Sequence, residues 1–120
     1  MKIRIKGNSL RYRLTRSEVE RFAAEGYIDD STSFGPTQLT YALKVSGDDI
    51  LRADMQNNCI TFYMPSHMAD EWTQTDRVGF ESNTGDLYLL IEKDFMCLDL
   101  PMQDQADNYP NPLMMGTPVA

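Results

Sequence analysis

A chain of 120 residues with 42% hydrophobic and 24% charged residues has the composition of one globular domain and none of the depletion that marks disorder. Its two cysteines, Cys59 and Cys97, exclude a disulfide scaffold, and the alternating charges of MKIRIKG are not those of a secretory leader, so a cytoplasmic protein with reduced thiols is expected. The net charge is −7, yet residues 1–24 alone carry +5, leaving −12 for the remainder; a uniformly basic nucleic-acid-binding surface is excluded, one basic face is not.

That face begins at the first residues. KIRIK and LRYRL both alternate apolar and basic residues, and GNS between them signals a turn, so a hairpin is predicted with Ile3, Ile5, Leu10, Tyr12 and Leu14 on its buried side. Because successive strand side chains point to opposite faces, Lys2, Arg4, Lys6, Arg11 and Arg13 then share the outer side. TRSE at 15–18 has the form of a capping box, and Val19, Phe22 and Ala23 supply a helical stripe ending before Gly26, which predicts a helix over 16–25.

Asp29 and Asp30 fall in a segment read as a solvated turn, as do Asp48 and Asp49. From residue 36 the period is two: QLTYALKV, ILRADMQ and CITFYM, separated by SGDD and NN, read as an antiparallel meander with Leu39, Tyr41, Leu43, Val45, Leu51, Ala53, Met55, Ile60, Phe62 and Met64 inward. A short helix is predicted over 66–72, followed by RVGFES and DLYLLIEKDF joined by NTGD as a hairpin. LYLLI at 87–91 is the longest apolar run, too short for a bilayer of about 30 Å, so no membrane span is expected. No internal repeat of fixed period is read. The expectation is an α+β fold: a mainly antiparallel sheet of six or seven strands with one N-terminal helix and a short second one. Residues 1–98 form the single domain, and 99–120 a proline-containing acidic tail packed on the domain or on a partner.

Few residues suggest chemistry. His67 stands near Asp70 and Glu71 at helical spacing, a candidate base or weak metal ligand centring a small enzyme, but a single histidine without cysteine company does not make a zinc or iron site. Cys97 lies between Asp94 and Asp99, whose charges disfavour the thiolate a nucleophile needs. No phosphate-binding loop, dinucleotide fingerprint or nucleophile elbow is present, so no cofactor and no catalytic residue is expected. The basic face remains, with arginine forks suited to carboxylates or phosphates. The reading is a non-catalytic binding or interaction module that meets an acidic protein surface or a second copy of itself as a homodimer.

Two resemblances bear on this. GNSLRYRLTRSEVERF resembles the opening of AbrB-type swapped-hairpin barrels, whose DNA-binding half runs strand, GNS turn, arginine-bearing strand and helix. The resemblance covers about residues 2–26 and implies DNA contacts from Lys6, Asn8, Arg11 and Arg13, though Thr15 stands where that family has proline. Over most of the chain, KIRIKGNSLRYRLTRSEVE with IEKDF, Cys97 and a late YPNP resembles a family of small uncharacterised bacterial proteins. That resemblance implies a single cytosolic domain and no catalytic residues.

Overall fold

The computed structural model describes residues 1–83 and 85–95. The chain runs β1(Lys2–Lys6), β2(Ser9–Leu14), α1(Arg16–Glu25), β3(Tyr27–Ser33), β4(Gln38–Ser46), β5(Arg52–Gln56), β6(Cys59–Pro65), α2(Ser66–Gln74), β7(Gly79–Ser82) and β8(Tyr88–Lys93). Among the described residues eight strands form two four-stranded sheets, ordered β1-β2-β8-β7 and β3-β4-β6-β5.

This corrects the expected single sheet of six or seven strands, while four of the six strand pairs are antiparallel, in keeping with a mainly antiparallel fold. Each sheet is mixed, with a parallel central pair, β2 with β8 and β4 with β6. The meander is corrected too: β6 lies between β4 and β5, so β4 and β5 are not neighbours. Period-two alternation marks a segment as a strand but says nothing about which strand lies beside it. The polar stretch YIDDSTS, read as a turn, is the edge strand β3, and α2 runs two residues beyond the expected 72.

The arrangement follows a rule that also overturns the absence of a repeat. The series ββαββ occurs twice, and β1, β2 and α1 begin 50 residues before β5, β6 and α2. Exchanging the two halves converts one sheet order into the other. Each half therefore gives its first hairpin to one sheet and its second hairpin to the other, with the helix crossing between them.

Core packing obeys the same exchange. Tyr12 and Phe62, 50 residues apart, pack with ring centroids 5.1 Å apart, and Phe22 meets Trp72 edge-on at 6.1 Å. All four are at most 1% exposed. The Tyr12 hydroxyl donates to the Ile60 carbonyl at 3.1 Å, so the phenol is buried with a partner, and burial pushes its pKa up.

Local chemistry explains the ends. Thr15 and Glu18 form the capping box, and Gly26 at φ 70 closes α1 with its amide on the Phe22 carbonyl. In the hairpins, Gly7 has φ 54 while Asn57 and Asn58 have φ 52 and 61, the φ signs of a type II′ and a type I′ turn. Both helices lie at the end of the sheets where β2 and β6 finish; the connections 7–8, 34–37 and 57–58 lie at the other.

Candidate binding face

Register decides which side chains of the first sheet face outward. Lys2 pairs with Arg13, Arg4 with Arg11 and Lys6 with Ser9; Arg13 then pairs with Glu92, Arg11 with Leu90 and Ser9 with Tyr88. The intervening Leu10, Tyr12, Leu14, Leu89 and Ile91 are buried between the sheets. Lys2, Arg4, Lys6, Arg11 and Arg13 thus project from one continuous outer face.

The cations there are not equivalent. Glu92 Oε1 accepts from Arg11 Nε and Arg13 Nε, each at 2.7 Å, and lies 2.6 Å from Arg11 Nη2. One carboxylate oxygen between two guanidiniums leaves a residual positive charge. Lys2 Nζ lies 2.8 Å from Asp94, at the end of β8. Arg4 and Lys6 make no ion pair among the described residues. They line a depression of about 180 Å³ with Ser9, Arg11, Tyr88 and Leu90. The Tyr88 hydroxyl donates to Glu81 on β7, and this hydrogen bond to the neutral phenol raises its pKa. Among the described residues five cations stand against Glu81, Glu92 and Asp94, a net +2 for the face.

Glu92 is the residue sequence reasoning missed. IEK is an ordinary strand stretch until the parallel pairing of β2 with β8 sets Glu92 beside Arg13. Cys97 and the acidic 99–120 segment, with Asp104 and Asp107, lie outside the described residues.

The other candidates fall elsewhere. Asn8 is at a hairpin tip, its amide donating to the Asp86 carbonyl. His67 is exposed on α2, and no group of three or more His, Cys, Asp or Glu among the described residues could hold a metal ion. Cys59 is half-buried on β6, 3.7 Å from the Thr61 hydroxyl. Among the described residues no helix is long and apolar enough to cross a membrane.

A family model described as a family of unknown function, DUF7009, matches residues 1–113. The chain belongs to the DUF7009 family. No curated protein and no solved structure matches it. The matched span takes in both halves of this DUF7009 chain, the basic face and Glu92 included.

Proposed function

We propose that this protein is a non-catalytic interaction module, cytoplasmic, whose outer face on the first sheet binds an acidic partner protein. The observation that carries the reading is the pair Arg4 and Lys6, without carboxylate partners among the described residues, beside two arginines that share one oxygen of Glu92. Arg4 and Lys6 can meet an anion without first breaking an ion pair among the described residues, and complementary potentials raise association rate and select against basic partners.

The DNA reading draws on the same face through the AbrB-type resemblance. Of its four contact residues, Arg11 and Arg13 are engaged by Glu92 and Asn8 by Asp86, which leaves Lys6. DNA is therefore an outcome of the test and not the lead.

The test is a titration of the full chain with a fluorescent decaglutamate and, separately, with a duplex DNA, at several salt concentrations. Decaglutamate should bind at low salt, and Arg4→Glu/Lys6→Glu should weaken it by about tenfold or more while the salt dependence flattens. Tighter binding of the duplex, with the steep slope of counterion release, would make the DNA reading the better one. If neither probe binds at low salt, the face is a solvated surface and the reading fails.

A further inference from the structure

We propose that β1 is a docking edge: an extended acidic segment of another protein adds to it as a fifth strand of the first sheet. The inference rests on the acidic-partner reading and adds the mode of binding. β1 is the terminal strand of its sheet and, among the described residues, is hydrogen-bonded to β2 alone. A two-residue hairpin makes its flanking residues, Lys6 and Ser9, a hydrogen-bonded pair, so by alternation Arg4 and Lys2 also turn their backbone groups toward β2. The amides and carbonyls of Ile3 and Ile5 then point away from the sheet, and they meet no backbone partner among the described residues.

The side chains prescribe what can pair there. On the outer side Lys2, Arg4 and Lys6 recur at every second residue, the spacing of alternate side chains in an added strand. On the inner side Ile3 is half-buried and Ile5 is 62% exposed, at the rim of an apolar cleft of about 210 Å³ shared with Leu10 and Met55. A strand with carboxylates at alternate positions and apolar residues between them satisfies both sides at once.

Lysine on an edge is also a device against aggregation, and here it acts as a selector. Two β1 edges set together would oppose cation to cation, which disfavours self-pairing and leaves an acidic strand as the matched partner. No proline or bulge interrupts β1, and its five residues pair with β2 without a break. The other edges lack this combination: β7 has four residues, β3 carries Asp29 and Asp30, and β5 carries Asp54 beside its one cation, Arg52.

The experiment uses the full chain and an end-blocked heptapeptide alternating Glu and Val, with a fully N-methylated version of the same charge. Affinity is read by anisotropy, and amide hydrogen exchange is followed at Ile3 and Ile5. Strand addition predicts that methylation weakens binding by about tenfold or more, because it removes the ladder donors. It also predicts that the plain peptide slows exchange at both amides by about tenfold. Equal affinity of the two peptides with unchanged exchange overturns the inference and leaves the acidic-partner reading intact. Absence of binding by either peptide at low salt, with decaglutamate also inert, removes both. Slow exchange at Ile3 and Ile5 that depends on protein concentration without peptide would place a second copy on the edge and overturn it as well.

Discussion

The two halves of the chain share an inner surface and differ on the outside. At the 50-residue offset, Leu10, Tyr12, Leu14, Val19 and Phe22 correspond to Ile60, Phe62, Met64, Ala69 and Trp72, apolar in every case and all buried. On the outer faces the correspondence breaks: Arg4, Arg11 and Arg13 give way to Asp54, Thr61 and Tyr63. Where Glu92 lies between two arginines, the second sheet has Lys44 beside Tyr63, and Arg52 stacks over the Tyr63 ring at 3.8 Å while pairing with Asp48. Architecture needs only that alternate positions be apolar and of fitting volume, so the inner pattern is retained while individual residues drift. Specific binding needs particular charges, and the grouping of Arg4, Arg11 and Arg13 with Glu92 occurs on one sheet only.

If the shared surface is what holds the fold, breaking it in either half should be equally damaging. Phe22 and Trp72 meet each other where α1 and α2 pack. Trp72→Ala and Phe22→Ala are each expected to cost about 3–5 kcal/mol in denaturant unfolding, from lost burial plus the cavity left behind. The double variant should cost less than the sum, since the first truncation already removes the contact. Additive losses would show that the two rings stabilise separate halves and that the exchange relation has no energetic content.

A smaller effect separates the halves. A Cβ on Gly79 would meet the Ile91 carbonyl oxygen at 2.1 Å and the Glu92 Cα at 2.9 Å. Gly79→Ala should push β7 from β8 at a cost of about 1–3 kcal/mol. It should also disturb the carboxylate that Arg11 and Arg13 share. The corresponding position of the second sheet is Tyr27, partnered with Lys44 as Gly79 is with Glu92, and Tyr27→Ala should cost less because that ring is 41% exposed.

Helix starts give the next comparison. Thr15 caps α1 with a side-chain oxygen, whereas Pro65 at the same place before α2 makes no side-chain cap bond. Thr15→Ala is expected to cost about 1 kcal/mol in thermal or chemical unfolding. Partial burial tends to raise the Glu18 carboxyl, but hydrogen bonds from the N-terminal ammonium and from the Thr15 amide and hydroxyl outweigh it and hold the pKa below its ordinary 4.5. A depressed folded value means the stabilisation is complete above the unfolded value and is lost as pH falls through the folded one. Glu18→Gln should therefore flatten the acid limb of stability below about pH 4.5 and leave its shape unchanged near neutrality. An unaltered acid limb would mean that Glu18 does not carry the cap.

How far the sequence foretold this molecule divides along the same line. The hairpin KIRIKGNSLRYRL, the capping box and the Gly26 stop are local signals, and each is present at its own position. The joining of Arg4, Arg11 and Arg13 on one face was legible because hairpin register follows from turn length. Glu92 was not, because it enters through a parallel pairing of segments about 80 residues apart, which no local pattern encodes. Neither was the repeat: between residues 1–26 and 51–76 the one identity at the 50-residue offset is Asn8 with Asn58, so it is carried by periodicity and turn position alone. YIDDSTS was missed because an exposed edge strand has little apolar alternation to display, with Ile28 its single buried residue.

The mildest change to the fold is the most informative about the outer-face difference. Glu92→Gln keeps the shape between Arg11 and Arg13 and removes the charge. Partly exposed ion pairs contribute little, so stability should fall by no more than about 1 kcal/mol. Binding should move the other way: with its own carboxylate gone, the face holds one more net positive charge, and decaglutamate should bind several-fold tighter with a steeper salt dependence. Lys44→Gln, the matching change on the second sheet, should leave that affinity nearly unmoved, because Lys44 lies on the outer face opposite to Arg4, Arg11 and Arg13. If Glu92→Gln lowers affinity, the carboxylate is needed to hold the two guanidiniums in place for the partner. Glu92 would then organise the face and not compete for it, and the contrast between the halves would be one of positioning more than of net charge.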